Sequence, residues 1–410
     1  MSRRLILGPT TALAEGPEGF VAYHPPTRRI HRLNPTASLL ISLCDGTRDR
    51  DQIEEASAAV LDRSTASAWI DLALHDGLIA HESDPIPRTT AAEFAELADE
   101  LRSDGAVEAA FICRSRAVEL APDDLDIAYG LAELAHILGR RDVARTMYER
   151  WFEAHPDDAE VAHLLISLRD QPPPPRASDE AIKHLYKRFS SNYDESMVDD
   201  LEYRAPDLLE NAVDAAVEDR DDLAILDIGC GTGLSGLRLR PRATSLTGID
   251  LSPEMVARAR SRAIYDRLET AEITAWLADD DGTRFDLITA CDCLIYFGDL
   301  AQVLAPARKR LRSKGLMVLT VERGDHAPFA LTDNGRYTHH RTHIEQAAKK
   351  SGFRVSWIDE EVLRYEYGEE VVGLVATLRA DGADPAEPEA SRLRAGSLLQ
   401  GGDAIGAALR

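Results

Sequence analysis

The sequence predicts a multidomain chain with a small α+β module, an all-α repeat segment and a doubly wound α/β domain. Three observations support this order. Pro122 and Pro156 are each followed by two aspartates and lie 34 residues apart. Apolar strand-like runs alternate with helix-like segments after residue 179, and a glycine-rich loop at 229–233 follows one of those runs. A fixed spacing indicates stacked helical units, and alternation of strands and helices indicates a parallel sheet.

The composition is that of a globular protein. The 410 residues carry a formal charge of −24 and are 44% apolar and 29% charged, and this length corresponds to roughly two to four domains. No apolar run is long enough for a spanning helix, and the basic start lacks a signal-peptide core, so we expect no membrane partner. Five cysteines without paired spacing predict a reducing, cytoplasmic location and no metal site. The strong negative charge disfavours nucleic acid as a partner.

Proline-rich breaks divide the chain into parts. The four prolines at 172–175 are the clearest break, because proline cannot continue a helix and favours a stiff, extended spacer. A softer break lies at 84–87. The predicted parts are 1–84, 91–170, 179–380 and a mobile tail at 381–410.

A period of 34 residues organises the second part. Gly105 recurs as Gly139, and Ala110 recurs as Ala144. Small residues at this period, where paired helices cross, resemble tetratricopeptide repeats. The pattern predicts helices over 92–103, 107–120, 127–138, 142–154 and 159–168, and a role in spacing or binding. A generic antiparallel helical bundle is the alternative.

The glycine loop indicates a nucleotide-type ligand. An apolar strand at 224–228 runs into Gly229-Cys230-Gly231-Thr232-Gly233. Glycines are needed where a ligand approaches the backbone closely. A second strand ends on Asp250, whose carboxylate can accept the hydroxyls of a ribose. The register 231–236 also fits a dinucleotide-binding loop, but the apolar strand already stops at Gly229, which favours the first register.

Residues 226–233 and 248–255 resemble the first two motifs of class I S-adenosylmethionine methyltransferases. The resemblance covers about 179–380 and implies a Rossmann-like class I methyltransferase fold, S-adenosylmethionine as cofactor and methyl transfer as the reaction. An NAD enzyme and an empty structural fold are the alternatives. The implied cofactor-binding residues are Tyr193, Asp227, Gly229, Cys230, Gly231, Gly233, Asp250, Leu251, Met255, Glu272, Ile273 and Asp292.

Residues after the fifth strand of this domain are candidates for the acceptor side. Methyl transfer depends mainly on alignment, and a base is needed only if the acceptor must lose a proton. The candidate bases are Glu322, His326, Tyr337, His339 and His340, although each also fits a loop residue that satisfies the backbone. The stretches 335–339 and 296–299 resemble bacterial methyltransferases that carry tetratricopeptide repeats. We therefore expect Tyr337 and His339 to be catalytic and Tyr296 to bind substrate.

The first part predicts a winged-helix-like α+β module. Two strands at 19–23 and 29–33 precede helices at 36–43, 50–60 and 65–76. The stretches 32–37, 43–46 and 74–79 resemble the PqqD-like family of peptide-recognition modules. This resemblance implies that a leader peptide adds a strand to the wing, with Arg29, His31 and Arg32 as binding residues. We expect Ile30 to face the module's own core. A DNA-reading winged helix and a structural cap are the alternatives.

Together these features predict a methyltransferase that modifies a ribosomally synthesised precursor peptide recruited through its leader. One alternative is a methyltransferase of a small metabolite whose front domains serve assembly only. The other is a non-catalytic scaffold that binds peptides. The acceptor atom and the oligomeric state stay open.

Overall fold

The computed structural model describes residues 3–16, 19–84, 89–189, 194, 201–217, 220–326, 328–366 and 368–381. Tyr193 and all of the predicted tail after Asp381 lie outside the described residues. The chain forms two compact units, Met1–Gln171 and Pro172–Arg410. Within the described ranges, no helix has both the length and the apolar character needed to cross a membrane.

The first unit begins with an α+β module of two three-stranded sheets, ordered β5-β1-β6 and β2-β3-β4. Its elements are β1 Arg4–Leu7, β2 Ala12–Gly16, β3 Gly19–His24, β4 Arg29–Arg32, α1 Pro35–Leu43, β5 Asp45–Asp49, α2 Arg50–Ala56, α3 Arg63–His75 and β6 Ile79–His81. The expected hairpin and three helices are present. The sheet around β1 was not predicted, because its strands are short and β5 has no apolar residue. The winged-helix description therefore fits only loosely.

Side-chain caps explain why the helix starts of this module were predictable. The Asn34 side chain accepts a hydrogen bond from the backbone of the first turn of α1. Asp49 and Gln52 form a capping box at α2, and Asp62 caps α3. Such side chains satisfy backbone N–H groups that have no partner within the helix.

The repeat segment forms five helices. They are α4 Ala91–Ser103, α5 Val107–Leu120, α6 Leu125–Ile137, α7 Arg141–Ala154 and α8 Ala159–Leu168. Their bounds agree with the expected ones within two residues. Ala110 and Ala144, which recur at the 34-residue period, are both completely buried. Small residues at these positions allow the paired helices to approach closely.

The β2-β3-β4 sheet packs against the repeat helices. Four of its residues share a buried cluster with α4 to α8: Ala12, Ala14, Val21 and Tyr23. Ala22 lies between two of them in sequence and belongs to the core of the module instead. Successive side chains of a strand point to opposite faces, so β3 contributes to two cores at once. The first two predicted domains therefore form a single compact unit.

Ile30 does not face the core of the module, so that prediction is wrong. In the β3–β4 register, Ile30 pairs with Tyr23, and His31 pairs with Ala22. Directly paired residues lie on the same face of a sheet. His31 is therefore on the side of the module core, and Ile30 is on the side of the repeats, where it is 37% exposed. The apolar side chain was assigned to the wrong face because the second core was not foreseen.

The second unit is a three-layer α/β domain whose strand order is β12-β13-β11-β10-β7-β8-β9, with β15 pairing antiparallel to β11 and β14 to β15. Its elements are α9 Asp179–Phe189, α10 Ala205–Val217, β7 Leu223–Ile228, α11 Leu234–Leu239, β8 Ala243–Asp250, α12 Pro253–Ser261, β9 Arg267–Thr270, α13 Ile273–Ala278, β10 Phe285–Ala290, α14 Ala301–Arg310, β11 Leu311–Arg323, β12 Phe329–Leu331, β13 Tyr337–His339, α15 Arg341–Lys350, β14 Phe353–Glu366 and β15 Glu369–Ala380. The predicted doubly wound domain is confirmed. The β12–β13 hairpin was not predicted.

The centre of this sheet is buried on both faces. In β7, Leu226 and Ile228 join one core cluster, whereas Leu223 and Ile225 join the other. Such continuously apolar strands are typical of parallel sheets covered on both sides. β7 pairs with β8 on one edge and with β10 on the other, all in parallel. The strand order thus reverses at β7, and ligands of such sheets bind at the carboxyl ends of the strands beside this reversal.

Candidate active site

A cavity lies at the carboxyl ends of β7, β8 and β10. This is the position that the strand order predicts for a ligand site. Tyr296, expected to bind substrate, is part of its wall. Eight residues of the predicted cofactor-binding set also line it: Gly229, Gly231, Asp250, Leu251, Met255, Glu272, Ile273 and Asp292.

The glycine loop forms the floor of the cavity. Gly229 and Gly231 have φ angles of +64° and +54°, which side chains disfavour. A Cβ on Gly229 would lie 2.4 Å from Cys293 Cβ, whereas a Cβ on Gly231 would meet no atom within 4 Å. Gly229 is therefore required by packing, and Gly231 leaves open space beside the cavity.

Asp250 ends β8 and is held by the backbone. Its Oδ2 accepts the N–H of Gly231 at 2.8 Å, and its Oδ1 accepts the N–H of Ser252 at 2.9 Å. Burial raises the pKa of Asp250, and backbone N–H groups oppose that rise. Each carboxylate oxygen can accept a further hydrogen bond. The carboxylate is thus oriented in the cavity wall and able to accept two ligand hydroxyls.

Glu272 presents one unsatisfied oxygen at the other end of the cavity. Its Oε2 accepts hydrogen bonds from the Ala275 N–H at 2.7 Å and the Thr274 hydroxyl at 2.6 Å. Its Oε1 is buried without a hydrogen-bond partner among the described residues. Burial acts to raise the pKa of Glu272, but the hydrogen bonds outweigh it and the pKa is lowered. Glu272 is therefore an ionised acceptor for an N–H group.

Three residues of the predicted cofactor set do not line the cavity: Asp227, Cys230 and Gly233. Asp227 is fully buried and accepts hydrogen bonds from the hydroxyls of Tyr265, Ser235 and Thr289 at 2.8 to 3.0 Å. Burial raises the pKa of Asp227 to about 6. Its expected contact with the cofactor is corrected, because its oxygens are committed to side chains of the domain core.

Asp292 joins the cavity to a buried ionic cluster. Arg364 Nη1 donates to Asp292 Oδ2 at 2.6 Å, Nε donates to Glu366 at 2.7 Å, and Nη2 contacts Glu322. Arg336 pairs with Glu322 at 2.7 Å and Glu366 at 2.6 Å. Burial raises the pKa of Glu322, and the two arginines oppose that rise. Glu322, a candidate base, is therefore engaged by two guanidinium groups.

The predicted catalytic pair does not reach the cavity. Tyr337 and His339 lie on β13 and are completely buried. The Tyr337 hydroxyl donates to the carbonyl of Pro174 at 2.7 Å. His339 stacks on His343 with 5.4 Å between the ring centroids, and burial lowers the pKa of His339 to about 3. Their expected place in an acceptor pocket is corrected, because β13 extends the sheet beside β11 and buries both side chains.

The remaining candidate bases also lie away from the cavity wall. His326 is exposed. His340 caps α15, where its side chain accepts the N–H of Thr342 at 3.2 Å.

The proline run is part of the second unit and not a separate spacer, which corrects the expected boundary at residue 179. The Pro175 carbonyl accepts the N–H groups of Gly298 at 2.9 Å and Asp299 at 3.2 Å. The Ala177 N–H donates to the Tyr296 carbonyl at 2.9 Å. Residues 174–177, termed the strap below, therefore run along residues 296–299.

Six residues line the cavity that were not in the predicted site: Arg176, Ile182, Tyr186, Cys291, Cys293 and Phe297. The hydroxyls of Tyr186 and Tyr296 lie 3.0 Å apart. Burial raises the pKa of Tyr296 to about 12, so its hydroxyl stays protonated at neutral pH. The position of the cysteines after β10 was a usable signal, whereas nothing in the sequence pointed to Arg176.

The described residues contain no group of three or more histidine, cysteine or acidic side chains that could hold a metal. Cys293 donates to the Ile228 carbonyl, 3.2 Å from its sulfur. Burial raises the pKa of Cys293 well above its ordinary value. This thiol is therefore uncharged at neutral pH, as expected for a packing residue and not for a nucleophile.

Comparison with known families agrees with this geometry. Residues 226–317 match the family model of a methyltransferase domain, and residues 106–167 match that of a tetratricopeptide repeat. The chain carries a methyltransferase domain. A tetratricopeptide segment precedes it, so the prediction of repeats is confirmed, and the methyltransferase match begins on β7 and includes the glycine loop.

The relatives match part of the chain. A putative methyltransferase of Bacillus subtilis, YqeM, is 28% identical over 159 residues, which cover 36% of this chain and 58% of the relative. The human methyltransferase-like protein 27 is 40% identical over 87 residues, which cover 21% of this chain and 35% of the relative. The chain spans about half the length of the curated relatives it matches. A Burkholderia thailandensis 1,6-didemethyltoxoflavin-N1-methyltransferase structure is 21% identical, with a TM-score of 0.39, and the match covers 51% of this chain and 93% of the other.

Proposed function

We propose that this chain is an S-adenosylmethionine-dependent methyltransferase. The observation that carries the proposal is the convergence of Gly231, Asp250 and Glu272 on one cavity in a methyltransferase domain. The three offer open space at a backbone loop, a carboxylate for ribose hydroxyls and an acceptor for an adenine amine. These features are complementary to the nucleoside part of the cofactor.

The residues present fit this cofactor. Glu272 Oε1 has no hydrogen-bond partner among the described residues and would accept an N–H of the ligand, and Gly231 leaves space that a Cβ would fill. Met255 and Ile273 supply apolar contacts in the same wall. When bound, S-adenosylmethionine supplies an electrophilic methyl group on a sulfonium that is an excellent leaving group.

The chain contributes alignment more than acid–base chemistry. The hydroxyls of Tyr186 and Tyr296 and the carboxylate of Asp292 are polar groups of the cavity that can orient an acceptor. Asp292 is itself held by Arg364, so its position is fixed before a ligand binds. A fixed acceptor geometry lowers the barrier by removing the entropy cost of orientation.

Calorimetry with the full chain tests the cofactor. We expect S-adenosylmethionine to bind. Asp250→Ala should weaken the affinity about tenfold or more, because hydrogen bonds to a charged group are lost. Asp325→Ala, at an exposed position, is the matched control. Tight NADH binding without affinity for S-adenosylmethionine would refute the assignment.

We further propose that the substrate is a precursor peptide whose leader binds the edge of β4. β4 ends its sheet, with no strand on its outer side among the described residues. The Leu33 N–H bonds to the Phe20 carbonyl, so the alternation of antiparallel pairs turns the backbone groups of Ile30 and Arg32 outward. An extended peptide can add a strand there, which would make the chain a peptide-modifying enzyme.

Ile30→Pro tests the edge. Proline removes only an outward N–H and is tolerated on edge strands, so the sheet should form while peptide addition is blocked. Methylation of a leader-bearing peptide at low concentration should fall, with affinity for S-adenosylmethionine unchanged. Undiminished methylation would favour the alternative in which the module serves assembly, which the packing of Tyr23 against the repeats supports.

A further inference from the structure

The strap is fixed along its whole length by hydrogen bonds. The Tyr337 hydroxyl binds the Pro174 carbonyl, two N–H groups bind the Pro175 carbonyl, and the Ala177 N–H binds the Tyr296 carbonyl. The proline rings also restrict the backbone of the strap. The position of Arg176, between two anchored residues, is therefore set by contacts outside its own side chain.

Arg176 reaches the same end of the cavity as Glu272. Its Nη1 lies 2.7 Å from Asp179 Oδ1 and 3.6 Å from Glu272 Oε1. The Arg176 side chain is 28% exposed and the Glu272 side chain 13%. Both residues line the cavity. The wall thus presents a carboxylate acceptor and a guanidinium donor side by side.

We propose that Arg176 recognises the cofactor together with Glu272, and that Tyr337 positions Arg176 through the strap. This inference rests on the proposed function, since it assigns the purine end of the cofactor to this wall. An adenine edge carries an amine donor next to a ring-nitrogen acceptor. Glu272 accepts from the amine, and Arg176 donates to the ring nitrogen. In a 6-oxopurine bound in the same position, an oxygen acceptor would face Glu272 and the protonated N1 would face Arg176, so both contacts would be mismatched.

The role of Tyr337 follows from the same contacts. It was expected to be catalytic, but its hydroxyl is 163 positions away in sequence from the strap carbonyl that it binds. Loss of that hydroxyl frees the strap near Pro174 without removing any group from the cavity wall. Tyr337 is therefore a positioning residue, and its effect on the cofactor is exerted through Arg176.

Calorimetry on the full chain with S-adenosylhomocysteine and S-inosylhomocysteine tests the proposal. The wild type should prefer the adenosyl compound by about tenfold or more, because the inosyl compound leaves Glu272 unpaired. Arg176→Ala should weaken binding of the adenosyl compound about fivefold and narrow its preference over the inosyl compound, since one donor is lost. Tyr337→Phe should also weaken binding of the adenosyl compound, by about threefold.

The double variant tests the link between the two residues. Arg176→Ala combined with Tyr337→Phe should bind no more weakly than Arg176→Ala alone, because the hydroxyl acts only through the arginine. Effects that multiply would refute the positioning role of Tyr337. Arg354→Ala and Tyr365→Phe, which change residues of β14 that do not line the cavity, are the matched controls.

Three further outcomes are decisive. If Arg176→Ala leaves both dissociation constants unchanged, the recognition role of Arg176 is refuted. The variant should fold, because the Arg176 side chain is partly exposed and is not part of a hydrophobic core. If the wild type binds neither compound, the cofactor assignment itself fails. Binding of both compounds with equal affinity refutes the adenine-reading pair while leaving the cofactor assignment intact.

Discussion

Arg32 of β4 and Glu108 of α5 form a bidentate ion pair, with nitrogen–oxygen distances of 2.9 and 2.7 Å. The pair joins the edge strand of the module to the first repeat. It also neutralises one of the three side chains expected to bind a leader peptide. Arg29, on the same strand, is exposed, and the two arginines are therefore not equivalent.

We expect Arg29→Ala to weaken binding of an acidic leader more than Arg32→Ala does. The charge of Arg32 is already offset by Glu108, so Arg32 attracts an acidic leader less than Arg29 does. Losing the Arg32–Glu108 pair itself should cost less than about 1 kcal/mol of stability, because the pair is exposed. Fluorescence anisotropy of a labelled leader at two salt concentrations measures both effects. Equal losses for the two variants would show that the peptide displaces Glu108.

Tyr23→Ala should destabilise the first unit by about 3 kcal/mol, because a buried aromatic ring is removed from the core shared with the repeats. Tyr23 is 2% exposed. Urea unfolding followed by circular dichroism measures the free energy of unfolding. Val60→Ala, at a residue that is 67% exposed, is the control. A loss no larger than that of the control would contradict the shared core.

His339 should make the protein less stable as the pH falls. Its pKa is lowered to about 3 in the folded protein, so between about pH 6.5 and about pH 3 the unfolded chain binds one more proton than the folded one. Each pH unit in that window should cost about 1.4 kcal/mol. His339→Phe should flatten this dependence, whereas His326→Phe, at an exposed position, should leave it unchanged. Parallel pH profiles for the wild type and His339→Phe would refute the burial of a neutral imidazole.

Arg364→Met should destabilise the second unit by about 3–5 kcal/mol, since it leaves carboxylates buried without their partner. Its side chain is 3% exposed and pairs with Asp292, Glu322 and Glu366. Thermal unfolding measures the loss. Adding Asp292→Asn and Glu322→Gln to the same chain should recover part of the stability, because the unpaired charges are then removed. No recovery would mean that the arginine acts by packing alone.

Local signals account for the parts of the fold that were predictable. The repeat helices begin at caps such as Thr90 and Asp124, and the glycine loop follows a continuous apolar strand. The strap, the β12–β13 hairpin and the face of Ile30 depend on contacts between residues far apart in sequence. Arg176 illustrates the limit, since its place beside Glu272 requires the pairing of residues 174–177 with 296–299.

The two-faced strand β3 restricts how this chain can vary in length. Inserting one residue between Val21 and Ala22 would leave Val21 on its face but move Ala22 and Tyr23 to the opposite faces, because the side-chain period of a strand is two. The tyrosine ring would then enter the space of an alanine, and the repeats would lose it at the same time. Changes of two residues preserve the parity. Length variation in this hairpin should therefore be confined to the turn or occur in pairs.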